Sequence, residues 1–246
     1  MTSPEMATLL GLVLAHLSGD FLFQPHRWVE SKQRHKRLSP ALYWHACIHG
    51  LLTALVLTLA GSGPDIILAG TLLVAISHAL IDLGKTYLDS NRLRWFLLDQ
   101  LLHLLVLLGL WLSWIGSLQP LFEMFAWITT PRALTLAGAY LLVTRPMAIG
   151  IALAMRPWSD EVNDPGTLVA AGARIGMLER FLVLTLVLLD ELTAVGFLLT
   201  AKSVLRFGDL RESSDRKLTE YVLLGTLLSV SATMALGLMV RSLNLG

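Results

Sequence analysis

"LLGLVLAHLSGDFLFQ", residues 9–24, carries an imidazole and a carboxylate, His16 and Asp20, inside an apolar run. A charged side chain in mid-membrane costs roughly 2.5 kcal/mol or more, so one found there has a partner or a purpose. The composition of the chain decides that this run is a span. Of 246 residues, 54% are hydrophobic and 15% charged, and the mean hydropathy is +0.65. A soluble domain carries about 25% charged residues, so the expected class is an all-α, polytopic helical membrane protein. Runs this long and Leu-rich are helices, because barrel strands are shorter and alternate. The one cysteine, Cys47, excludes an intrachain disulfide and a CxxC zinc site. Nothing in "MTSPEM" resembles the basic start of a cleavable signal, so the first span is expected to be retained.

A span needs about 20 mostly apolar residues. The expected spans are Met6–Gln24, Ala41–Leu59, Ile66–Leu83, Phe96–Ile115, Ala133–Met155 and Tyr221–Val240. The connection "PHRWVESKQRHKRLSP" carries Arg27, Lys32, Arg34, Lys36 and Arg37, and "KTYLDSNRLR" carries Lys85, Arg92 and Arg94. "GSGP" and residues 116–131 up to Pro131 have no Lys or Arg. The positive-inside rule therefore puts the N-terminus outside and the basic connections in the cytoplasm. A short interfacial piece is expected around "LFEMFAWI", and a cytoplasmic loop at "RPWSDEVNDPG". The stretch Arg174–Leu205, with Asp190 and Glu191 at its centre, is too long for one ordinary span. It admits two readings. One is a bent or re-entrant pair turning at "DELTAVG" with both ends cytoplasmic; the other is a single long tilted helix.

Each of the first four spans holds a pair of donor side chains. They are His16 and Asp20 in "HLSGD", His45 and His49 in "HACIH", His78 and Asp82 in "HALID", and Asp99 and His103 in "DQLLH". All are spaced i, i+4, which places both side chains on one helix face. The pairs lie at the C-terminal ends of the first and third spans and at the N-terminal starts of the second and fourth. Alternating helices bring all four to one side of the bilayer, the cytoplasmic side in this orientation. Two domains are expected, 1–116 as the four-span bundle and 117–246 as a C-terminal membrane part.

One His–Asp pair in a span is more often a structural hydrogen bond than a ligand set. Four pairs at one depth favour a metal centre of the kind built inside helix bundles. Five imidazoles and three carboxylates suit two divalent ions, with zinc first and manganese or iron as alternatives, since magnesium and calcium prefer all-oxygen shells. Some carboxylates could instead orient a ligating imidazole. Among the cations near the pairs, Lys85, three residues after Asp82, is the one singled out to hold a lipid phosphate; ordinary positive-inside charge explains most of the others. Gln24 and Gln100 lie beside the pairs. In the C-terminal half, Arg180, Lys202 and Arg206 either form an anion pocket or pair with Glu179 and Glu220 to fix the bent segment.

"HLSGDFLFQ", "HALIDLGK" and "LLDQLLH" together resemble a bacterial membrane family catalogued as domain of unknown function 3307. "IGMLER", "AKSVLRF" and "EYVLLGTLLS" resemble the C-terminal part of its longer members. A weaker likeness is to membrane-bound metal-dependent hydrolases of the YdjM type, and behind them to helical zinc phospholipases C and nucleases. "HLSGD" and "HALID" match their His-x3-Asp pattern; "HACIH" and "DQLLH" depart from it.

The leading expectation is an inner-membrane hydrolase acting on a phospholipid, polyprenyl phosphate or similar amphiphile, with the eight residues as ligands and Asp20 or Asp99 as general base. The partner is then a lipid or lipid-linked substrate and not nucleic acid. The alternatives are a cation- or proton-coupled carrier, a di-iron oxygenase, and a structural partner protein that binds no metal.

Overall fold

The computed structural model describes residues 3–88, 92–159, 169–206 and 216–243, and among them every regular element is helical. The chain divides into two compact units, Met1–Phe122 and Glu123–Gly246. Four helices, Pro40–Leu59, Pro64–Lys85, Leu93–Ile115 and Glu220–Ser242, are long and apolar enough to cross a membrane, and two bent helix pairs raise the number to six if each is one span. Their outward faces carry exposed leucines such as Leu51, Leu55, Leu59 and Leu80, the surface a lipid-facing helix needs. This is a helical membrane protein.

In the first unit, α1 (Ser3–Phe21), α3 (Pro40–Leu59), α4 (Pro64–Lys85) and α5 (Leu93–Ile115) form a bundle. α1 touches α3 and α5, α3 touches α4, and α4 touches α5. Leu12, Val74, Leu107, Leu110 and Trp111 make its apolar core. Two indoles fasten the core end: Trp111 Nε1–H donates to the Glu5 carbonyl and Trp114 Nε1–H to Ser62 Oγ, each at 2.8 Å.

α1 stops at Phe21, where the N–H groups of Leu22 and Phe23 both return to the Ser18 carbonyl. Pro25 then forces an extended residue before it and starts a new helix, α2 (His26–His35), followed by a 3-10 turn at Lys36–Leu38. The chain turns through 79° between α1 and this segment. What reads in sequence as a basic connection is thus a helix against the end of the bundle, in contact with α3. Its Lys32 is buried, three and four residues beyond Val29 and Trp28.

In the second unit, the expected span Ala133–Met155 is broken. α7 (Pro131–Leu142) and α8 (Arg145–Ser159) meet at a 41° bend. Pro146 has no N–H to give the carbonyl of Leu142, and its ring would clash with that carbonyl in a continuous helix. The buried Arg180 caps the break: its Nε donates to the Val143 carbonyl at 2.7 Å, and an Nη reaches at 3.4 Å the Thr144 carbonyl, which also accepts from the Ala148 N–H. α6 (Gln119–Ile128), at the position of the expected interfacial piece, has no buried residue.

Of the two readings of 174–205, the structure has the folded-back pair. α9 (Val169–Leu188) ends at Asp190, whose φ of 67° is left-handed, with the Glu191 N–H closing onto Leu186 at 2.8 Å. Aspartate is among the few side-chain-bearing residues that adopt this conformation readily. α10 (Leu192–Arg206) returns along α9, joining Val195 to Val183 and Val187 in one apolar cluster and Lys202 to Glu179 in an ion pair at 2.6 Å. The turn is only Leu189–Glu191; Thr193 to Gly196 are already helical. α11 (Arg216–Ser242) packs on α9, where a Cβ at Gly237 would stand 2.7 Å from Val187. The expected loop "RPWSDEVNDPG", residues 156–166, begins instead as the last turn of α8, which runs to Ser159; its residues 160–166 lie outside the described residues.

Candidate metal centre

Helix geometry brings the four pairs together. α1 and α4 present theirs at their last turns, α3 and α5 at their first, and neighbouring helices run antiparallel. His16, His45, His49, His78, Asp82, Asp99 and His103 are buried, and the Asp20 side chain is 12% exposed. Asp20 stands at the centre. Its Oδ1 lies 3.2 Å from His45 Nε2, 3.1 Å from His49 Nε2 and 3.5 Å from His78 Nε2. The rings of His49 and His78 stack with centroids 3.6 Å apart, and His103 lies 4.0 Å from His78 on the same measure.

Amide and ammonium groups fix this arrangement. Gln100 donates from Nε2 to Asp20 Oδ2 at 2.9 Å and to Asp99 Oδ2 at 3.3 Å, while its Oε1 is 3.4 Å from His16 Nε2. Gln24 Nε2 lies 2.7 Å from His45 Nε2. His103 Nδ1–H donates to the Asp99 carbonyl at 2.9 Å, which fixes the tautomer and turns the Nε2 lone pair toward the cluster. Lys32 pairs with Asp82 and Lys85 with Asp99, each at 2.5 Å.

A hydrogen-bonded core and a ligand set differ in what they leave over. Buried polar atoms in a structural network are paired, because each orphan costs about 1–3 kcal/mol. Here Asp20 Oδ1, His45 Nδ1, His49 Nε2, Asp99 Oδ1 and His103 Nε2, and outside the cluster Thr71 Oγ1, are buried without a hydrogen-bond partner among the described residues; Asp20 Oδ1 and His49 Nε2 face each other at 3.1 Å without hydrogen-bond geometry. Five such atoms in one cluster are what ligands without their ion look like. Their spacing fits as well: tetrahedral zinc with bonds of about 2.0–2.1 Å holds its ligand atoms roughly 3.3 Å apart, and the contacts to Asp20 Oδ1 span 3.1–3.5 Å.

Three donor groups have metal-binding proximity: His16, Asp20, His49 and His78; His45, His78 and Asp82; and Asp20, Asp99 and His103. One imidazole Nε2 has one lone pair, so His78 serves a single ion, whereas a carboxylate can bridge two. The third group can therefore be filled together with either the first or the second, but not with both. The first is the better partner: its His49 Nε2 has no hydrogen-bond partner, whereas in the second His45 Nε2 is in hydrogen-bond contact with Gln24 and His78 and Asp82 is paired with Lys32. The first and third groups share Asp20, whose carboxylate can bridge, and make the better compatible pair.

Both lysines are ion-paired. Lys85, singled out for a phosphate, is held on Asp99 with its side chain 35% exposed. Lys32, read in sequence only as part of the basic connection, is a buried partner of Asp82. Its signal was present in the apolar Trp28 and Val29 on the same face of α2. Removing one partner of a buried pair strands the other charge, so Lys32→Met is expected to destabilise the metal-free protein by about 3 kcal/mol. Thermal unfolding in detergent should show Lys32→Met/Asp82→Asn recovering most of that loss; a single variant as stable as wild type would contradict the pairing.

The anion pocket of Arg180, Lys202 and Arg206 is not what the described side chains build. Arg180 closes the α7–α8 break and Lys202 is paired with Glu179; the side chain of Arg206 lies outside the described residues. Sequence reasoning also missed Gly19. A Cβ there would stand 2.4 Å from His49 Cε1 and 2.5 Å from its Nε2, so the imidazole lies directly against the α1 backbone. The glycine inside "HLSGD" was the available signal.

A cavity of about 270 Å³ and mixed lining opens beside Asp82: Gln24, Lys32, Gln33, Asp82, Lys85 and Thr86 give it polar groups, and Val29 and Leu88 an apolar part. Residues 8–129 match the model of a family described as a protein of unknown function, DUF3307, and this part of the chain belongs to it. All eight donor residues and both lysines fall within the match. No curated protein and no solved structure matches the chain.

Proposed function

We propose that this member of a family without an assigned activity is a metal-dependent hydrolase of the bacterial cytoplasmic membrane, acting on a phospholipid, polyprenyl phosphate or similar amphiphile. The observation that carries the reading is the set of orphaned buried donor atoms, four of them in the two compatible groups, at ligand spacing. His16, His49 and His78 with Asp20 would hold one divalent ion, and Asp20, Asp99 and His103 a second. Zinc suits this mixed nitrogen and oxygen set best, and manganese and iron are also accommodated. Ions bound there would supply Lewis acidity and a water acidic enough to attack near neutral pH.

The chain's own residues supply the rest. Gln100 holds the Asp20 carboxylate in the plane its contacts require. Asp99, with Oδ2 held by Lys85 and Oδ1 free, is the carboxylate placed to accept a proton. The ammonium and amide groups on the cavity wall support a hydrolase that binds a headgroup. The broken hairpin lends a carrier no support, since Asp190 is exposed and paired with Arg241 at 2.5 Å. Arg27, Arg34, Lys36 and Arg37 on and just after α2, with Arg92 and Arg94 at the start of α5, support a cytoplasmic position for the site end and an N-terminus outside.

Release of phosphate or headgroup from lipids in nanodiscs tests the reading. Zinc- or manganese-loaded wild type should turn over at least one such lipid, and His78→Ala should lose more than about 100-fold, since even supporting partners of a ligand are worth 10–100-fold. Undiminished turnover by His78→Ala would contradict it.

A further inference from the structure

Besides Asp82, which is itself a donor residue, and Gln24, which faces His45, the cluster meets the cavity at Lys85. Its Nζ is bound to Asp99, which does not line the cavity, while Lys85 itself does. Lys32, the other ammonium on the wall, is buried on Asp82 and anchors α2 to α4. Charge separates the two states of this end of the bundle. Three carboxylates facing two ammoniums carry one net negative charge, the imidazoles left aside. With two divalent ions added, the same groups carry three net positive charges in a largely buried site, which calls for an anion. An ion held beside Asp99 would draw on the single charge that now holds Lys85 and repel its ammonium.

We propose that Lys85 is the anion-binding residue of the cavity, held on Asp99 while the centre is empty of metal and turned to a phosphoryl group when it is loaded. The inference rests on the metal reading above and adds to it the residue that recognises substrate and the condition under which it does so. Gln33 lines the same cavity and supplies amide donors to the anion, and so does Gln24 with the N–H that does not face His45. The volume of about 270 Å³ accommodates a phosphate-sized headgroup without its acyl chains.

Inorganic phosphate binding to the full chain in detergent, with metal content measured on the same samples, tests this. Zinc-loaded wild type should bind phosphate at least about tenfold more tightly than the metal-free protein, the worth of one charge-assisted hydrogen bond. Lys85→Gln should keep its zinc and lose that gain; Lys85→Arg, which keeps the charge, should retain most of it. Equal phosphate affinity with and without zinc, or an unchanged gain in Lys85→Gln, would overturn the inference and leave the metal centre standing. A wild type that takes up no metal would overturn both. Nanodiscs of phosphatidylcholine with and without phosphatidic acid then identify the source: displacement of phosphate only by the acid-containing discs assigns the cavity to a lipid headgroup, and no displacement by either assigns it to a soluble phosphate.

Discussion

Asp20→Asn is expected to yield a folded protein that holds less than about a tenth of the wild-type metal. The substitution keeps the shape of the side chain and a group for Gln100 to bond, and removes the one charge that three imidazole nitrogens face at 3.1–3.5 Å. Asp20 belongs to both compatible donor groups, so its loss weakens both ions at once, where replacing His49 or His103 weakens one. Elemental analysis beside size-exclusion chromatography checks this. A folded Asp20→Asn protein with full metal content would remove Asp20 from the centre.

Gly19→Ala should empty the centre as thoroughly without touching a donor atom. The new methyl would overlap the His49 ring, and the ring has no room to withdraw because His78 stacks on it at 3.6 Å. Alanine is the better helix former by up to about 1 kcal/mol, so weakening of α1 cannot account for a loss of metal. Gly84→Ala, on α4 with nothing within 4 Å of the added Cβ, serves as the control and should bind metal as wild type does. Normal metal content in Gly19→Ala would show that His49 is not a ligand in the position described.

The four donor pairs were legible because two regularities combine in them, the i, i+4 face of a helix and the alternation of spans. Neither depends on knowing how the helices pack. The α7–α8 break was legible in principle from Pro146, but hydropathy runs straight through it, and the group that makes the break tolerable, Arg180, lies 34 residues later in the chain. The α9–α10 hairpin left two readings open because Asp190 and Glu191 suit a turn and a polar helix face equally. The left-handed φ at Asp190 and the pairing of Glu179 with Lys202 are tertiary facts. Lys32 was hidden for a similar reason. A basic connection between spans reads as a solvated loop until α2 folds against the bundle and carries one of its lysines to Asp82.

The most direct test of the metal centre is the metal content of wild-type protein purified without nickel or chelator. The arrangement of Asp20 between two donor groups predicts about two equivalents of zinc, manganese or iron per chain, as in other two-metal sites. Protein that carries no stoichiometric metal, and takes up none when these ions are supplied, would contradict it and make the five imidazoles and three carboxylates a buried hydrogen-bond network.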